Sequence, residues 1–316
     1  PCSTKWVKKL KYTTTKLRLL VNAKSVLHLT HWSKKQTKFQ WAGTPLWSTA
    51  HESMASLNAM VSANGRVFYI MDEGPRASVQ LPSDWQLVAR DDYNGVVLWK
   101  KPLKQWLTRY WPWKSGPAQM PRKLIAIGDR VYAPLDINGA LIEFDAATGE
   151  ELQTFPETLA AEEVIYTDGI LLTVSNPTPP DMKAIEEETR SRRHFSYDGR
   201  DRVVLDHNAP RFVVATDAKT GKTLWKHSGP NVSVLTLSSL DGNVIYHDGE
   251  SIVCLDLKTG GEKWKSAPIP QKTKKLVTVS EESPTVVLNH DAVYYAWDQK
   301  LTTLSMKDGS VLWSSD

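Results

Sequence analysis

The sequence predicts an all-β fold built from about five copies of a four-stranded antiparallel unit. A nine-residue motif recurs along the chain, alternating apolar runs precede each copy, and turn dipeptides separate those runs. The motif copies are DDYNGVVLW (91–99), DAATGEELQ (145–153), DAKTGKTLW (217–225), DLKTGGEKW (256–264) and SMKDGSVLW (305–313). Such self-similarity indicates a repeat protein, so it governs the interpretation of every local segment.

Each motif copy occupies the same place in a longer repeat. The segments upstream are AMVSANGRVFYI, LIAIGDRVYAPL, VIYTDGILLTV, LSSLDGNVIYH and VVLNHDAVYYA. Short β-branched and aromatic runs joined by turn dipeptides are typical of β-hairpins. A third strand enters the motif and a fourth leaves it, so the unit is a meander of four strands. Because one meander leaves both of its faces unburied, several copies are expected to stack around an axis as the blades of a β-propeller.

The motif residues have structural roles in such a blade. Glycine in the last hairpin turn permits a positive φ, the aspartate can accept hydrogen bonds from the turn amides, and tryptophan offers a flat surface for the neighbouring blade. The residues predicted to dock the blades are Gly95, Trp99, Gly149, Gly221, Trp225, Gly260, Trp264, Gly309 and Trp313.

The repeats resemble those of a known family. The strings NGRVFYI, LVARDDYNGVVLW and VVATDAKTGKTLW are similar to PQQ-like propeller repeats with tryptophan-docking motifs. That family includes quinoprotein dehydrogenases and an outer-membrane assembly lipoprotein that carries no quinone. The stretch MASLNAMVSANGRVFYIMDEG further resembles planctomycete-type PQQ-like repeat proteins of unassigned activity. The resemblance covers about residues 40–316 and implies a location in the periplasm or at the cell surface of a bacterium.

Charge divides the chain into two predicted regions. The first 51 residues hold ten Lys and Arg and no acid, whereas the remainder holds 29 basic against 35 acidic residues. We interpret residues 1–38 as a basic segment that is poorly ordered or a fragment edge, and expect no nucleic-acid partner. Residues 39–316 form the predicted propeller. Its blades are expected near 54–103, 122–156, 161–228, 233–266 and 283–315.

The number of blades is open at this stage. Five visible units favour a fragment of a seven- or eight-bladed propeller, since open sheets leave edges that proteins usually cover. The alternative is closure as five blades with help from KFQWAGTPLW (38–47).

The sequence departs from the pattern of the quinone enzymes. As the resemblance implies, those enzymes stack their cofactor under a vicinal cysteine disulfide and use a calcium-bound catalytic aspartate. Here the two cysteines, Cys2 and Cys254, are far apart. A serine hydrolase is not indicated either, because the sequence has no G-x-S-x-G nucleophile motif. No apolar run reaches the 18 residues of a transmembrane helix. We therefore predict no cofactor, no transmembrane segment and a noncatalytic role, with an enzyme as the alternative.

Unequal repeat lengths locate the predicted binding surface. Successive motif glycines are 54, 72, 39 and 49 residues apart, so some connections are enlarged. The additional residues fall in 71–86, 101–122, 176–211 and 265–283, which a meander places at one end of its sheets. Long loops on a rigid scaffold often carry binding residues.

The candidate site residues come from these connections. A protein or glycan ligand is predicted to contact His51, Arg76, Trp85, Trp106, Arg109, Tyr110, Trp111, Trp113, His194 and His207. The alternative for the aromatic cluster is packing within its own loop. Weak metal candidates are Glu52, Asp72, Glu73 and Asp206, which could equally be ordinary turn residues. The enzyme alternative requires at least two of Asp72, Glu73 and Asp206 to converge within about 10 Å.

Overall fold

The computed structural model describes residues 57–74, 84–104, 106, 122–179, 210–229, 231–233, 235–269, 284–297 and 300–315. They all belong to one unit, residues 43–316. The basic segment 1–38 and KFQWAGTPLW lie outside the described residues.

Within these described ranges, twenty strands form five antiparallel sheets, each with its four strands in chain order. The first sheet contains β1 (Leu57–Ala63), β2 (Arg66–Asp72), β3 (Trp85–Asp91) and β4 (Val97–Pro102). The second contains β5 (Ile125–Ile127), β6 (Arg130–Ala133), β7 (Leu141–Asp145) and β8 (Glu151–Phe155). The third contains β9 (Ala161–Thr167), β10 (Ile170–Ser175), β11 (Arg211–Asp217) and β12 (Thr223–Gly229). The fourth contains β13 (Ser238–Leu240), β14 (Asn243–His247), β15 (Ile252–Asp256) and β16 (Glu262–Lys265). The fifth contains β17 (Thr285–Leu288), β18 (Ala292–Trp297), β19 (Lys300–Ser305) and β20 (Val311–Ser314).

The last hairpin of every sheet repeats one turn geometry. Its glycine has a φ between 69° and 74° in all five copies, where a side chain would strain the backbone. In the four copies that begin with aspartate, Oδ1 of that residue accepts hydrogen bonds from two turn amides. In the fifth, the Ser305 hydroxyl accepts one from the Lys307 amide. The predicted roles of glycine and aspartate are confirmed.

The sheets pack in chain order through their first strands. Contacts link β1 to β5, β5 to β9, β9 to β13 and β13 to β17. Buried clusters fill the spaces between neighbouring sheets, as where Phe68 and Leu87 of the first meet Val131 and Phe144 of the second. This is the blade packing of a propeller, and the five sheets are not closed into a ring.

Tryptophans of the fourth strands dock on the glycine turn of the next sheet. The Trp99 indole packs on Gly149, where an added Cβ would lie 2.7 Å from the ring, and its Nε1 donates to the carbonyl of Ala146 at 3.1 Å. Trp225 repeats this on Gly260 and the Leu257 carbonyl, and Trp264 on Gly309 and the Met306 carbonyl. The docking predicted for these three tryptophans is therefore observed.

Trp313 differs from the prediction. Its side chain is 47% exposed, like its neighbours Val311 (51%) and Leu312 (56%). The reason is positional: β20 is the outer strand of the fifth sheet, and no glycine turn in the described part of the chain covers it.

The second sheet lacks the tryptophan, and this suggests a stabilising substitution. Gln153 occupies the position, and its amide packs where a Cβ on Gly221 would lie. We expect Gln153→Trp to bury more apolar surface, donate to the Ala218 carbonyl and raise the Tm by about 2–5 °C. Differential scanning calorimetry checks this. Gln153→Leu, which lacks the indole N–H, should gain less, and a Tm below that of the wild type would contradict the prediction.

Candidate functional site

Connections of very different length leave the two ends of each sheet. In an antiparallel meander, the first and third connections lie at one end, which we call the hairpin end. The second connection and the link to the next sheet lie at the other, the loop end. First connections are short turns such as Asn64–Gly65 and Asp168–Gly169. Segments 73–84, 103–124, 176–210 and 266–284 all leave the loop end, as the sequence predicts.

A side-chain oxygen stabilises the start of each described loop-end connection within a sheet. In every case it accepts a hydrogen bond from the backbone amide two residues later. The residues are Asp72, Asp136, Asn176 and Asp248. The sequence prediction missed this role, although an aspartate or asparagine stands at the end of the second strand or shortly after it in each of these repeats.

Asp72 and Glu73, two weak metal candidates, are both engaged within the fold. Oδ1 of Asp72 is the acceptor for the amides of Gly74 at 2.9 Å and Asp84 at 2.8 Å, which closes the neck of the 73–84 connection. Glu73 forms an ion pair with Lys100 at 2.5 Å. No group of three or more His, Cys, Asp or Glu side chains that could hold a metal occurs among the residues the structure describes.

Two predicted ligand-binding tryptophans lie in the core. Trp85 opens β3 and is 6% exposed, and Trp106 is 3% exposed. Both pack in the cluster between the first and second sheets with Phe68 and Leu87. This corrects the sequence prediction for these two residues: their rings support the bases of the loops, because the apolar faces of the sheets extend to the loop end.

The remaining candidate residues lie outside the described ranges. The predicted ligand contacts among them are His51, Arg76, Arg109, Tyr110, Trp111, Trp113, His194 and His207. The metal candidates among them are Glu52 and Asp206.

Glu162 joins both ends of the longest connection. This residue of β9 accepts a hydrogen bond on Oε1 from Asn176 Nδ2 at 2.9 Å and one on Oε2 from Arg211 Nε at 2.8 Å. Asn176 directly follows β10 and Arg211 begins β11. Glu162 and Arg211 are 49 positions apart in the chain. Their proximity could therefore not be predicted from the sequence.

A second cluster of polar contacts, centred on Arg122, links three sheets at the loop end. Arg122, which precedes the second sheet, donates to the Glu163 carboxylate of the third and to the Leu237 carbonyl before the fourth at 3.4 Å. Burial lowers the pKa of Arg122. The adjacent Lys123 is buried and donates to the Ile137 carbonyl at 2.8 Å. Burial lowers the pKa of Lys123 to about 8, partly offset by the charges of Glu162 and Asp136.

His247 is buried and neutral where β14 reaches the loop end. Its ring stacks on Tyr295 of the fifth sheet, with centroids 4.8 Å apart. The Gly249 amide donates to Nδ1 at 3.2 Å, so this nitrogen is the acceptor and also receives the Ser233 hydroxyl at 2.8 Å. Burial lowers the pKa of His247 to about 4.

Comparison with known proteins agrees with this arrangement. A family model described as outer membrane protein assembly factor BamB matches residues 169–316, the part of the chain that runs from the third sheet through the fifth. This part of the chain therefore resembles PQQ-like repeats. No curated protein matches its sequence.

Two solved structures with TM-scores above 0.5 share the fold of this chain. Quinohemoprotein alcohol dehydrogenase from Comamonas testosteroni is 14% identical with a TM-score of 0.53, covering 84% of this chain and 44% of its own. A europium-containing methanol dehydrogenase is 10% identical with a TM-score of 0.51, covering 85% and 52%. BamB from Moraxella catarrhalis is 13% identical with a TM-score of 0.47, covering 79% and 58%. The chain thus spans about half the length of these structures. Sequence identities this low establish a similarity of fold and nothing about activity.

The residues that the structure describes include no membrane-crossing helix. The helical residues assigned there are a 3-10 turn at Pro156–Thr158.

Proposed function

We propose that this PQQ-like propeller is a noncatalytic scaffold that presents its loop end to a protein partner in the periplasm or at the cell surface. The observation that carries the proposal is the separation of the two ends. Turns at the hairpin end are tight, and those between third and fourth strands repeat one geometry, whereas every enlarged connection leaves the loop end. Variation confined to one end of a repeated scaffold is typical of a binding surface.

The bases of the loops are held in fixed positions, which favours binding. Oδ1 of Asp72 accepts hydrogen bonds from amides at both ends of the 73–84 connection. Trp85 and Trp106 pack in the core between the first and second sheets. A surface fixed in this way loses less conformational entropy when a partner binds. The matching family model, whose name denotes an assembly factor, supports a protein as the partner.

An enzyme acting on a carbohydrate or alcohol is the second candidate, favoured by the fold shared with quinoprotein dehydrogenases. The contacts of Asp72 and Glu73 weigh against it. Both carboxylates already bind loop amides or a lysine, so neither is placed for acid–base chemistry. The third carboxylate of that hypothesis, Asp206, lies outside the described residues.

Affinity capture from a bacterial cell-envelope extract tests the scaffold proposal. We expect the wild-type chain to retain a protein and the double variant Trp111→Ala, Trp113→Ala to retain at least tenfold less, as expected when aromatic anchors are lost. The matched control is Tyr93→Ala, which removes an aromatic residue that is 76% exposed at the hairpin end. This control should retain the partner at the wild-type level.

Four outcomes would count against the proposal. Capture of nothing by the wild type, or equal loss in both variants, would contradict a binding surface at the loop end. Binding to a glycan array, with no protein captured, would indicate that the partner is a glycan and not a protein. Oxidation of an alcohol or hydrolysis of a glycan by the purified chain would favour the enzyme.

A further inference from the structure

We propose that Glu162 is the residue that positions the longest loop-end connection, and hence a determinant of partner binding. The second part rests on the proposed scaffold function. Glu162 lies on β9, the first strand of the third sheet, and not on the connection itself. A residue outside the loop thus fixes where both ends of the loop leave the sheet.

A backbone irregularity aims the Glu162 side chain. Strand pairing places Val174 opposite Glu163 and Ser175 opposite Ala161, so the register skips Glu162. Such bulges redirect a side chain and are frequent next to functional sites. Here the bulge coincides with the end of β10, where Asn176 begins the connection.

Both carboxylate oxygens of Glu162 are used, one for each end of the connection. Pairing of β10 with β11 ends at Ser175 and Phe212. The Glu162 contacts extend the fixed region by one residue on each side, to Asn176 and Arg211. Oδ1 of Asn176 then accepts from the Thr178 amide, which defines the first turn of the connection.

The negative charge of Glu162 is required by its partner. The Arg211 side chain is 2% exposed, so its guanidinium is buried beside the carboxylate. Removing one partner of a buried ion pair is strongly destabilising. Glutamine offers one acceptor oxygen and one donor nitrogen, so it could satisfy Asn176 or Arg211, but not both.

Among the residues the structure describes, a carboxylate from another strand contacts both ends of a connection only at this longest one. The 73–84 connection is closed by Asp72 at its own start, and the 248–251 connection by Asp248. The third sheet retains the equivalent residue, Asn176, and adds a carboxylate from another strand. A loop with more residues between its ends pays a larger closure entropy, so an extra constraint at its base has a larger effect.

Hydrogen–deuterium exchange of the full chain tests the positioning role. In Glu162→Gln, we expect peptides covering 173–179 and 210–214 to exchange about tenfold faster or more, with no change in the first sheet, as in local opening. The matched control is Glu157→Gln, whose side chain is 56% exposed and pairs with Lys226. The double variant Glu162→Gln, Arg211→Gln removes the buried charge and should recover part of the protection.

The outcomes separate this inference from the scaffold proposal. Unchanged exchange in Glu162→Gln, or faster exchange in all five sheets, would overturn the positioning role. Local acceleration together with at least tenfold weaker partner capture supports both parts of the inference. Local acceleration with wild-type capture would overturn the binding part alone. A wild-type chain that captures no partner would refute the scaffold, whereas the exchange results would still decide the role of Glu162.

Discussion

Replacing Trp99 with alanine is expected to lower the free energy of unfolding by about 3–5 kcal/mol, the usual cost of deleting a buried aromatic side chain. The ring is 8% exposed, lies 5.9 Å from the Phe68 ring and 6.1 Å from the Phe144 ring, and covers Gly149. Its removal would leave a cavity between two sheets and the Ala146 carbonyl without its donor. Urea unfolding followed by circular dichroism measures the loss.

Trp313 provides the matched control for this prediction. It occupies the same motif position, but its ring is 47% exposed. Trp313→Ala should therefore change the free energy of unfolding by less than about 1 kcal/mol. Equal losses in the two variants would contradict the view that docking on the next sheet, and not the motif itself, provides the stabilisation.

Acidification is expected to destabilise the fold through His247. Burial lowers the folded-state pKa of this residue from 6.5 to about 4. Between these values the unfolded chain binds a proton at His247 and the folded chain does not, so stability is full above pH 6.5 and falls as the pH decreases. From pH 7 to 4.5 this group alone should remove about 2–3 kcal/mol from the free energy of unfolding.

Two variants isolate the contribution of His247. His247→Asn keeps an acceptor for Ser233 and Gly249 but does not titrate, so its loss of stability between the two pH values should be smaller by about 2–3 kcal/mol. His290→Asn should retain the full loss, because the hydrogen bond with Asp241 raises the pKa of His290 instead of lowering it. Parallel pH dependence in wild type and His247→Asn would contradict the assignment.

Features that depend on local chain geometry were predictable from the sequence. Each motif glycine takes a positive φ, and the aspartates accept turn amides, because both requirements arise within five residues. Strand order and the segregation of long connections followed from the same repeat. These predictions needed no knowledge of neighbouring sheets.

Predictions that depended on neighbours were less successful. Trp313 shares the motif of Trp99 but has no cover among the described residues, and no local signal distinguishes the two. Trp85 and Trp106 fall in loop-like sequence, yet they complete the core between two sheets. Composition identifies an aromatic side chain but not the surface against which it packs.

The candidate site was only partly accessible to sequence reasoning. Asp72 stands at the end of a strand, as a metal ligand can, but its Oδ1 accepts hydrogen bonds from two amides of the adjoining connection. Glu162, Asn176 and Arg211 come together only through the meander and its bulge. The end of the sheets that would bind a partner could be predicted, whereas the residues that shape it required the structure.

Cross-linking mass spectrometry of the captured complex tests the central claim most directly. The structure places exposed Lys104 at the loop end, and exposed Lys219, Lys258 and Lys307 in the glycine turns of the hairpin end. A lysine-reactive cross-linker should join the partner to Lys104 and to lysines of the long connections, such as Lys114 and Lys183. Cross-links concentrated on Lys219, Lys258 and Lys307 would contradict a scaffold that binds through its loop end.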